Sequence, residues 1–315
     1  MKFLERLLHP KERARFAPVV PERAVPSGEL SFRAADFPAA GPLPWLDRPD
    51  AAGEIAARLA RRELGEREAA LAHDWARDGA VVLERFFDPA RLDAAWAAYE
   101  HALAARAVTP DAEPTESDPL PGRTLNAHFG VPQVDALLRD PALVELVSLL
   151  LGAEALPFQT IMGHKGSEQR AHSDAIHMTT YPLGYLAAAW IAFEDIAADS
   201  GPVVYYPGSH RLPYVFSDDV GISAQEYRDL GYAPYHERYE PRVAALIAEH
   251  GLEARVFTPR KGDVLLWHAN MLHGGSPRAR AGSSRRALVC HYFARGCVTY
   301  HDLAASPSHL FASQR

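Results

Sequence analysis

The spacing of apolar residues divides the chain into a helical first half and a β-rich second half. Residues 50–62, 67–78, 88–106 and 141–151 carry alanine and leucine at helical spacing. Asp88 precedes the third of these segments in the position of a helix N-cap. The pattern therefore predicts helical support at the start of the chain, with one strand, 79–87, between the second and third helices.

From about residue 156, short apolar or β-branched runs alternate with turn residues such as Lys261-Gly-Asp. Several short strands at this spacing are typical of a sandwich or barrel. The segment 217–251, with a helix over 241–249, is an excursion between two strands. We predict a mainly β fold with flanking helices (α+β), in which a jelly-roll core is closed by the C-terminal strands. The predicted strands are 158–163, 175–181, 186–193, 202–206, 254–258, 263–268 and 287–293.

Eight prolines lie within residues 1–50. Proline at this density disfavours long helices and predicts an extended arm with turns. We therefore expect a proline-rich arm over 1–50 and one domain over 51–315, with its β core at about 156–300. The arm is expected to pack on that domain or to form the contact of a homodimer.

The charge balance, 33 Lys+Arg against 40 Asp+Glu, gives a net charge of −7, which disfavours nucleic acid and anionic membranes as partners. The longest apolar run, 185–193, is shorter than the roughly 18 residues of a membrane span. The N-terminus has no apolar signal core, and the two cysteines, Cys290 and Cys297, form no paired framework. These features predict a reduced, cytoplasmic protein.

Two histidines and one aspartate form a candidate metal site. His172 and Asp174 are two residues apart, so in an extended strand both side chains face the same way. His273 follows an apolar strand about a hundred residues later, and a rolled sheet can return it beside His172. Two histidines and one carboxylate on one face leave positions open, as in non-haem Fe(II) oxygenases that bind O₂.

Arg285 narrows the choice of cosubstrate. It lies twelve residues after His273, at the start of the final predicted strand. An inward arginine needs an anion, and its planar fork suits a carboxylate. 2-Oxoglutarate would chelate iron through its 2-oxo acid end and place its far carboxylate on Arg285. The next residue, Arg286, is turned to the opposite face by the pleat.

The segment from about 79 to 293 resembles the phytanoyl-CoA dioxygenase-type Fe(II)/2-oxoglutarate oxygenases. The resemblance is carried by Lys165-Gly-Ser-Glu-Gln-Arg-Ala-His-Ser-Asp, by Ala189-Trp-Ile-Ala-Phe-Glu-Asp-Ile, by Asp199-Ser-Gly-Pro-Val-Val-Tyr-Tyr-Pro-Gly-Ser-His-Arg and by the segments at His273 and Arg285. It implies a double-stranded β-helix in which His172, Asp174 and His273 bind iron and Arg285 binds 2-oxoglutarate.

The resemblance also suggests further cosubstrate residues. Trp190 is expected to line the cosubstrate pocket, with ordinary core packing as the alternative. The family places a small hydroxyl residue shortly after the distal histidine, a role that Ser276 takes in His273-Gly-Gly-Ser-Pro. Asn126 and Gln159 are upstream polar residues that would complete this pocket. Among the other histidines, His268 is expected to face away from the metal and His177 to lie at the surface.

The function implied is hydroxylation of a small organic substrate, a natural product or metabolite, with release of succinate and CO₂. The carboxylate of Asp174 disfavours halogenation, in which a related family replaces it with a small residue. Two alternatives remain open. One is a cupin-like metalloenzyme that does not use 2-oxoglutarate and does not depend on Arg285. The other is a catalytically silent barrel that binds a ligand.

Overall fold

The computed structural model describes residues 33–38, 41–280 and 282–307, so most of the proline-rich arm lies outside the described residues. At the end of that arm, Trp45 and Leu46 are buried in the core. The indole N–H of Trp45 donates a hydrogen bond to the carbonyl of Leu149 (2.7 Å). This part of the arm therefore packs on the domain, and the division of the chain at residue 50 stays a prediction.

The helices of the first half begin and end where capping residues allow it. The Asp88 side chain accepts a hydrogen bond from the backbone N–H of Ala90, and the Asp140 side chain caps a later helix in the same way. Gly152 ends that helix with φ near 70°, a left-handed conformation that glycine adopts freely. The helices are α1 (Ala51–Ala60), α2 (Glu66–Asp78), α3 (Pro89–Ala104), α4 (Pro132–Leu138) and α5 (Pro141–Leu151).

Helix α4 was not expected from the sequence. It begins at Pro132, whose fixed φ suits the first turn of a helix and whose missing N–H costs nothing there. Its seven residues give too short a periodic pattern to stand out from the surrounding loop.

Twelve strands form three sheets in the described part of the chain. The strands are β1 (Ala80–Leu83), β2 (Thr124–Leu125), β3 (Ala155–Gly163), β4 (Thr179–Tyr181), β5 (Leu186–Ala192), β6 (Val203–Tyr205), β7 (Arg255–Phe257), β8 (Val264–His268), β9 (His273–Gly275), β10 (Ala287–Ala294), β11 (Val298–His301) and β12 (Ser306–Pro307). A six-stranded antiparallel sheet forms the centre of the molecule, in the order β1-β8-β5-β10-β3-β2. Its edges are formed by β1 and β2, which come from the helical half of the chain. Two three-stranded sheets, β7-β6-β9 and β12-β11-β4, complete the fold.

The central strand β5 explains how the layers pack. Every residue of β5 is buried, which matches its continuous apolar sequence. Ala187, Ala189 and Ile191 contact the core shared with the helices, whereas Ala188 and Trp190 contact the core shared with β6 and β7. The central sheet is therefore covered by helices on one face and by a smaller sheet on the other, and the predicted fold class is confirmed.

The excursion at 217–251 contains more structure than the sequence predicted. The expected helix is present as α7 (Glu240–Glu249), and it is preceded by α6 (Ala224–Leu230) and a π-helical turn (Tyr235–Tyr239). π-Helical turns are rare and occur often at functional sites. None of the helices in the described part of the chain combines the length and apolar character of a membrane span.

Candidate metal and cosubstrate site

The two candidate histidine ligands face each other across an isolated antiparallel bridge. The backbone N–H of His172 donates to the carbonyl of His273 (2.9 Å), and the N–H of His273 donates to the carbonyl of His172 (2.8 Å). This reciprocal pair brings together two residues that are a hundred positions apart. The ring centroids of the two histidines are 4.5 Å apart.

Asp174 does not continue an extended strand, so the predicted strand over 175–181 is wrong in its first half. A 3-10 turn begins at Asp174, because its carbonyl accepts hydrogen bonds from the backbone N–H groups of His177 (2.9 Å) and Met178 (2.8 Å). Strand β4 starts only at Thr179. The turn nevertheless leaves the carboxylate of Asp174 facing the two histidines.

The three side chains converge as metal ligands do. One ligand atom from each of His172, Asp174 and His273 lies within 4.8 Å of the others, and all three residues are buried. Nδ1 of His172 lies 2.9 Å from the carbonyl of Arg170, and Nδ1 of His273 lies 3.0 Å from that of Met271. A carbonyl can only accept, so each Nδ1 carries the proton and each Nε2 keeps a free lone pair.

The protonation states also suit a metal. Burial, with the neighbouring His273, lowers the pKa of His172 to about 4, so this imidazole is neutral at pH 7. Burial acts to raise the pKa of Asp174, but His273, His291 and His172 outweigh it and lower this pKa overall. Neutral imidazoles and an ionised carboxylate are the forms that coordinate a divalent cation.

Trp267 fixes the orientation of the carboxylate, and sequence reasoning missed it. Its indole N–H donates to Oδ2 of Asp174 (2.7 Å), while Oδ1 lies 3.7 Å from Nε2 of His273. One carboxylate oxygen is thus held by the protein and the other faces the histidines. The signal was available, since alternation along β8 places Trp267 inward if His268 faces away. His268 does face away, with Nε2 3.2 Å from the carboxylate of Asp47.

Arg285 opens into the same cavity as the three candidate ligands. It is 8% exposed, and one of its terminal N–H groups donates to the carbonyl of Gly201 (3.0 Å). Its Nε has no hydrogen-bond partner, and no carboxylate among the described residues lies within ion-pair distance of it. Burial, with a contribution from the charge of Arg123, lowers its pKa to about 10, so the group remains a cation at pH 7.

Trp190 lines this cavity too. Its ring lies 5.7 Å from the guanidinium carbon of Arg285 and 5.9 Å from the ring of Phe257. It is therefore both a cavity wall and a member of the core, the two interpretations that the sequence left open.

The other three cosubstrate candidates do not appear among the residues that line the cavity. The side-chain carbonyl of Asn126 lies 3.4 Å from the N–H of Thr160, and Gln159 pairs across the sheet with His291. The backbone N–H of Ser276 donates to the carbonyl of Pro202, and Ser276 lies two residues beyond Gly274, the last residue of β9 that lines the cavity. A cosubstrate role for these three residues stays a prediction that this geometry does not favour.

The mouth of the cavity is polar and is tied to the loop at 109–122. Arg123, Lys165 and Gln169 line it. The ammonium of Lys165 donates to the carboxylate of Asp118 (2.8 Å), which also accepts from Arg278 (2.7 Å). Hydrogen bonds from Arg278 and Lys165 lower the pKa of Asp118 well below its usual range. These ion pairs hold the loop against the segment that leads to His172.

The excursion at 217–251 contacts the segment that carries His172 and Asp174. The hydroxyl of Tyr239, at the end of the π-helical turn, accepts from the backbone N–H of Ser173 (3.2 Å). The expectation that His177 lies at the surface is wrong, because it is half-buried and both ring nitrogens are shielded from solvent. Its ring packs against Tyr235, 5.2 Å away, and lies 5.8 Å from that of His172.

The cavity thus lies between antiparallel sheets and is lined by two histidines, one carboxylate and an arginine without an anionic partner. This arrangement is typical of β-helix proteins with a non-haem metal site. The family model for phytanoyl-CoA dioxygenase (PhyH) matches residues 75–287. The chain belongs to this family.

Curated relatives include the peroxisomal phytanoyl-CoA dioxygenase of Rattus norvegicus, 26% identical over half of this chain and 45% of the relative. The ectoine dioxygenase of Bordetella parapertussis is 27% identical over 74% of this chain and 80% of the relative. The chain spans about half the length of the phytanoyl-CoA dioxygenases that it matches.

Solved structures share the fold. EctD from S. alaskensis with 2-oxoglutarate and 5-hydroxyectoine is 21% identical, with a TM-score of 0.58 over 95% of both chains. The carbocyclase SnoK from nogalamycin biosynthesis is 18% identical, with a TM-score of 0.57 over 76% of this chain and 88% of its own.

Proposed function

We propose that this protein is an Fe(II)- and 2-oxoglutarate-dependent dioxygenase that hydroxylates a small organic molecule. The observation that carries the proposal is that the three candidate metal ligands and a buried, unpaired guanidinium line one cavity. A buried cation without an anionic partner is costly, so a site of this kind is built for an anionic ligand.

The residues present fit the metal. His172, Asp174 and His273 would hold Fe(II) through two Nε2 atoms and one carboxylate oxygen, which leaves positions open for 2-oxoglutarate and O₂. When bound, these partners supply the oxidative chemistry, which couples hydroxylation of the substrate to conversion of 2-oxoglutarate into succinate and CO₂.

The protein itself binds, orients and excludes water. Arg285 would hold the far carboxylate of 2-oxoglutarate through its planar fork, beside the ring of Trp190. Val203, Val289 and Ile161 give the same cavity an apolar wall that keeps water from the reacting groups. Trp267 keeps the carboxylate of Asp174 in one orientation throughout.

The lining of the cavity suits a small organic molecule. Apolar side chains such as Ile161, Val203 and Val289 alternate there with polar groups that can orient a ligand. The similarity to an ectoine dioxygenase over most of both chains supports a small metabolite as substrate. The geometry offers no comparable support for an acyl-CoA.

Oxygenases of this fold are described with different reactions, since the structural neighbours include an epimerase and a carbocyclase. For this chain we propose hydroxylation. The presence of Asp174 supports it against halogenation, because the carboxylate occupies the position that a halide would need.

The test is an incubation of the purified protein with Fe(II), ascorbate and 2-oxoglutarate, first alone and then with a panel of small metabolites. We expect succinate release that depends on Fe(II) and is abolished in D174A. Addition of one oxygen atom to a metabolite, seen by mass spectrometry, would establish hydroxylation. Metal-dependent turnover without 2-oxoglutarate would favour the cupin-like alternative, and no turnover of any kind would favour the silent barrel.

A further inference from the structure

A third histidine of the cavity, His291, lies beside the three candidate ligands and has no role in the function proposed above. It is 2% exposed and lines the same cavity as Asp174 and Arg285. It belongs to β10, where alternation places residues 285, 287, 289 and 291 on the cavity side. Strand β10 and the residues just before it therefore place the guanidinium of Arg285 and the imidazole of His291 along the same cavity.

The neighbouring strands leave space for the imidazole of His291. The residue opposite His291 on β5 is Ala188, whose side chain is small. On the other side, the pairing of β10 with β3 shifts register between His291 and Tyr292. Irregularities of this kind redirect a side chain and are common next to active sites. Phe158 packs against the ring, with centroids 6.0 Å apart.

The imidazole is directed at one atom of the site. Its Nε2 lies 3.9 Å from Oδ2 of Asp174, the oxygen that already accepts the indole N–H of Trp267. Nδ1 is buried and has no hydrogen-bond partner in the described part of the chain. A separation of 3.9 Å is too long for a direct hydrogen bond, but a bridging water or a small rotation of the ring would close it.

We propose that His291 is a positioning residue, whose Nε2–H and the Trp267 indole together hold Oδ2 of Asp174 so that only Oδ1 is offered to the metal. The proposal rests on the metal site proposed above. Hydrogen bonds to the outer oxygen of a ligating carboxylate orient it and commonly change metal affinity 10- to 100-fold.

The test compares two nearly isosteric replacements, His291→Gln, which keeps an N–H donor, and His291→Met, which does not. Mn(II) affinity is measured by electron paramagnetic resonance titration in the absence of cosubstrate. We expect H291M to bind Mn(II) about 10- to 100-fold more weakly than the unchanged protein. H291Q should stay within about threefold, because the donor is restored. Should H291M fail to fold, His291→Phe takes its place in the comparison.

Cys290→Ala is the matched control. Cys290 is the preceding residue of β10, is equally buried and faces the helix-side core instead of the cavity. C290A should leave Mn(II) affinity unchanged. Equal affinity in H291Q and H291M would overturn the positioning role and leave the metal site standing. Absence of Mn(II) binding by the unchanged protein would instead overturn the metal site, and the role of His291 with it.

Discussion

Replacing Arg285 by methionine should stabilise the ligand-free protein and weaken its binding of 2-oxoglutarate. Burial lowers the pKa of Arg285 to about 10, and each pH unit by which a pKa is displaced corresponds to about 1.4 kcal/mol. The buried charge therefore destabilises the free protein by on the order of 3 kcal/mol at pH 7. Loss of the hydrogen bond to Gly201 offsets about 1 kcal/mol of this. The net gain in R285M is about 2 kcal/mol.

The assay is thermal unfolding with and without 2-oxoglutarate, in the presence of Mn(II). A gain of about 2 kcal/mol should raise the melting temperature of the ligand-free variant by about 3 °C. Truncation of a buried charge pair costs about 2–5 kcal/mol of binding, so the affinity of R285M for 2-oxoglutarate should fall about 30-fold or more. The reasoning would be refuted if R285M were less stable than the unchanged protein, or if it bound 2-oxoglutarate equally well.

Arg286 provides the internal control. It faces away from the cavity, with its guanidinium carbon 5.0 Å from the ring of Trp96 and its Nε 3.8 Å from the carboxylate of Glu194. R286M should bind 2-oxoglutarate with unchanged affinity.

Two further predictions concern the loop at 109–122 and a buried histidine. D118N weakens the ion pairs of residue 118 with Lys165 and Arg278. We therefore expect faster amide hydrogen exchange over the loop and a free energy of unfolding lower by about 1–2 kcal/mol. Unchanged exchange would show that these pairs do not hold the loop. Burial and the nearby His268 lower the pKa of His210 to about 3, so as the pH falls through about 6.5 the unfolded chain takes up a proton that the folded protein does not. Stability measured by urea unfolding should therefore drop by on the order of 3 kcal/mol between pH 7 and pH 4 from this group, and H210F should lose correspondingly less; an equal loss in both proteins would contradict the assignment.

The sequence was informative where a residue's neighbours along the chain determine its environment. The continuous apolar run at 186–193 predicted the strand that the structure has as β5, and Asp88 predicted a helix start through its own side chain. Alternation at the start of the predicted last strand placed Arg285 and Arg286 on opposite faces, as they are in the structure. The same alternation would also have identified His291 as an inward residue.

Other features depend on contacts that no local pattern encodes. The turn at Asp174 and the burial of His177 follow from the packing of the excursion against the segment that carries His172. The hydrogen bond between Trp267 and Asp174 joins residues 93 positions apart. Helix α4 has too few residues for its periodicity to be visible. These features could be identified only from the three-dimensional structure.

The hydrogen bond between Tyr239 and Ser173 has a consequence for how substrate specificity can change in this fold. Ser173 lies between two of the candidate metal ligands, and Tyr239 belongs to the excursion between strands at 217–251, a kind of segment that generally tolerates changes of length and sequence. If this excursion were exchanged for another, the backbone beside the candidate metal ligands would lose its hydrogen bond unless the new segment supplied a hydroxyl at the same place. Engineering of new substrate preferences should begin with point changes elsewhere in the excursion that leave this contact intact.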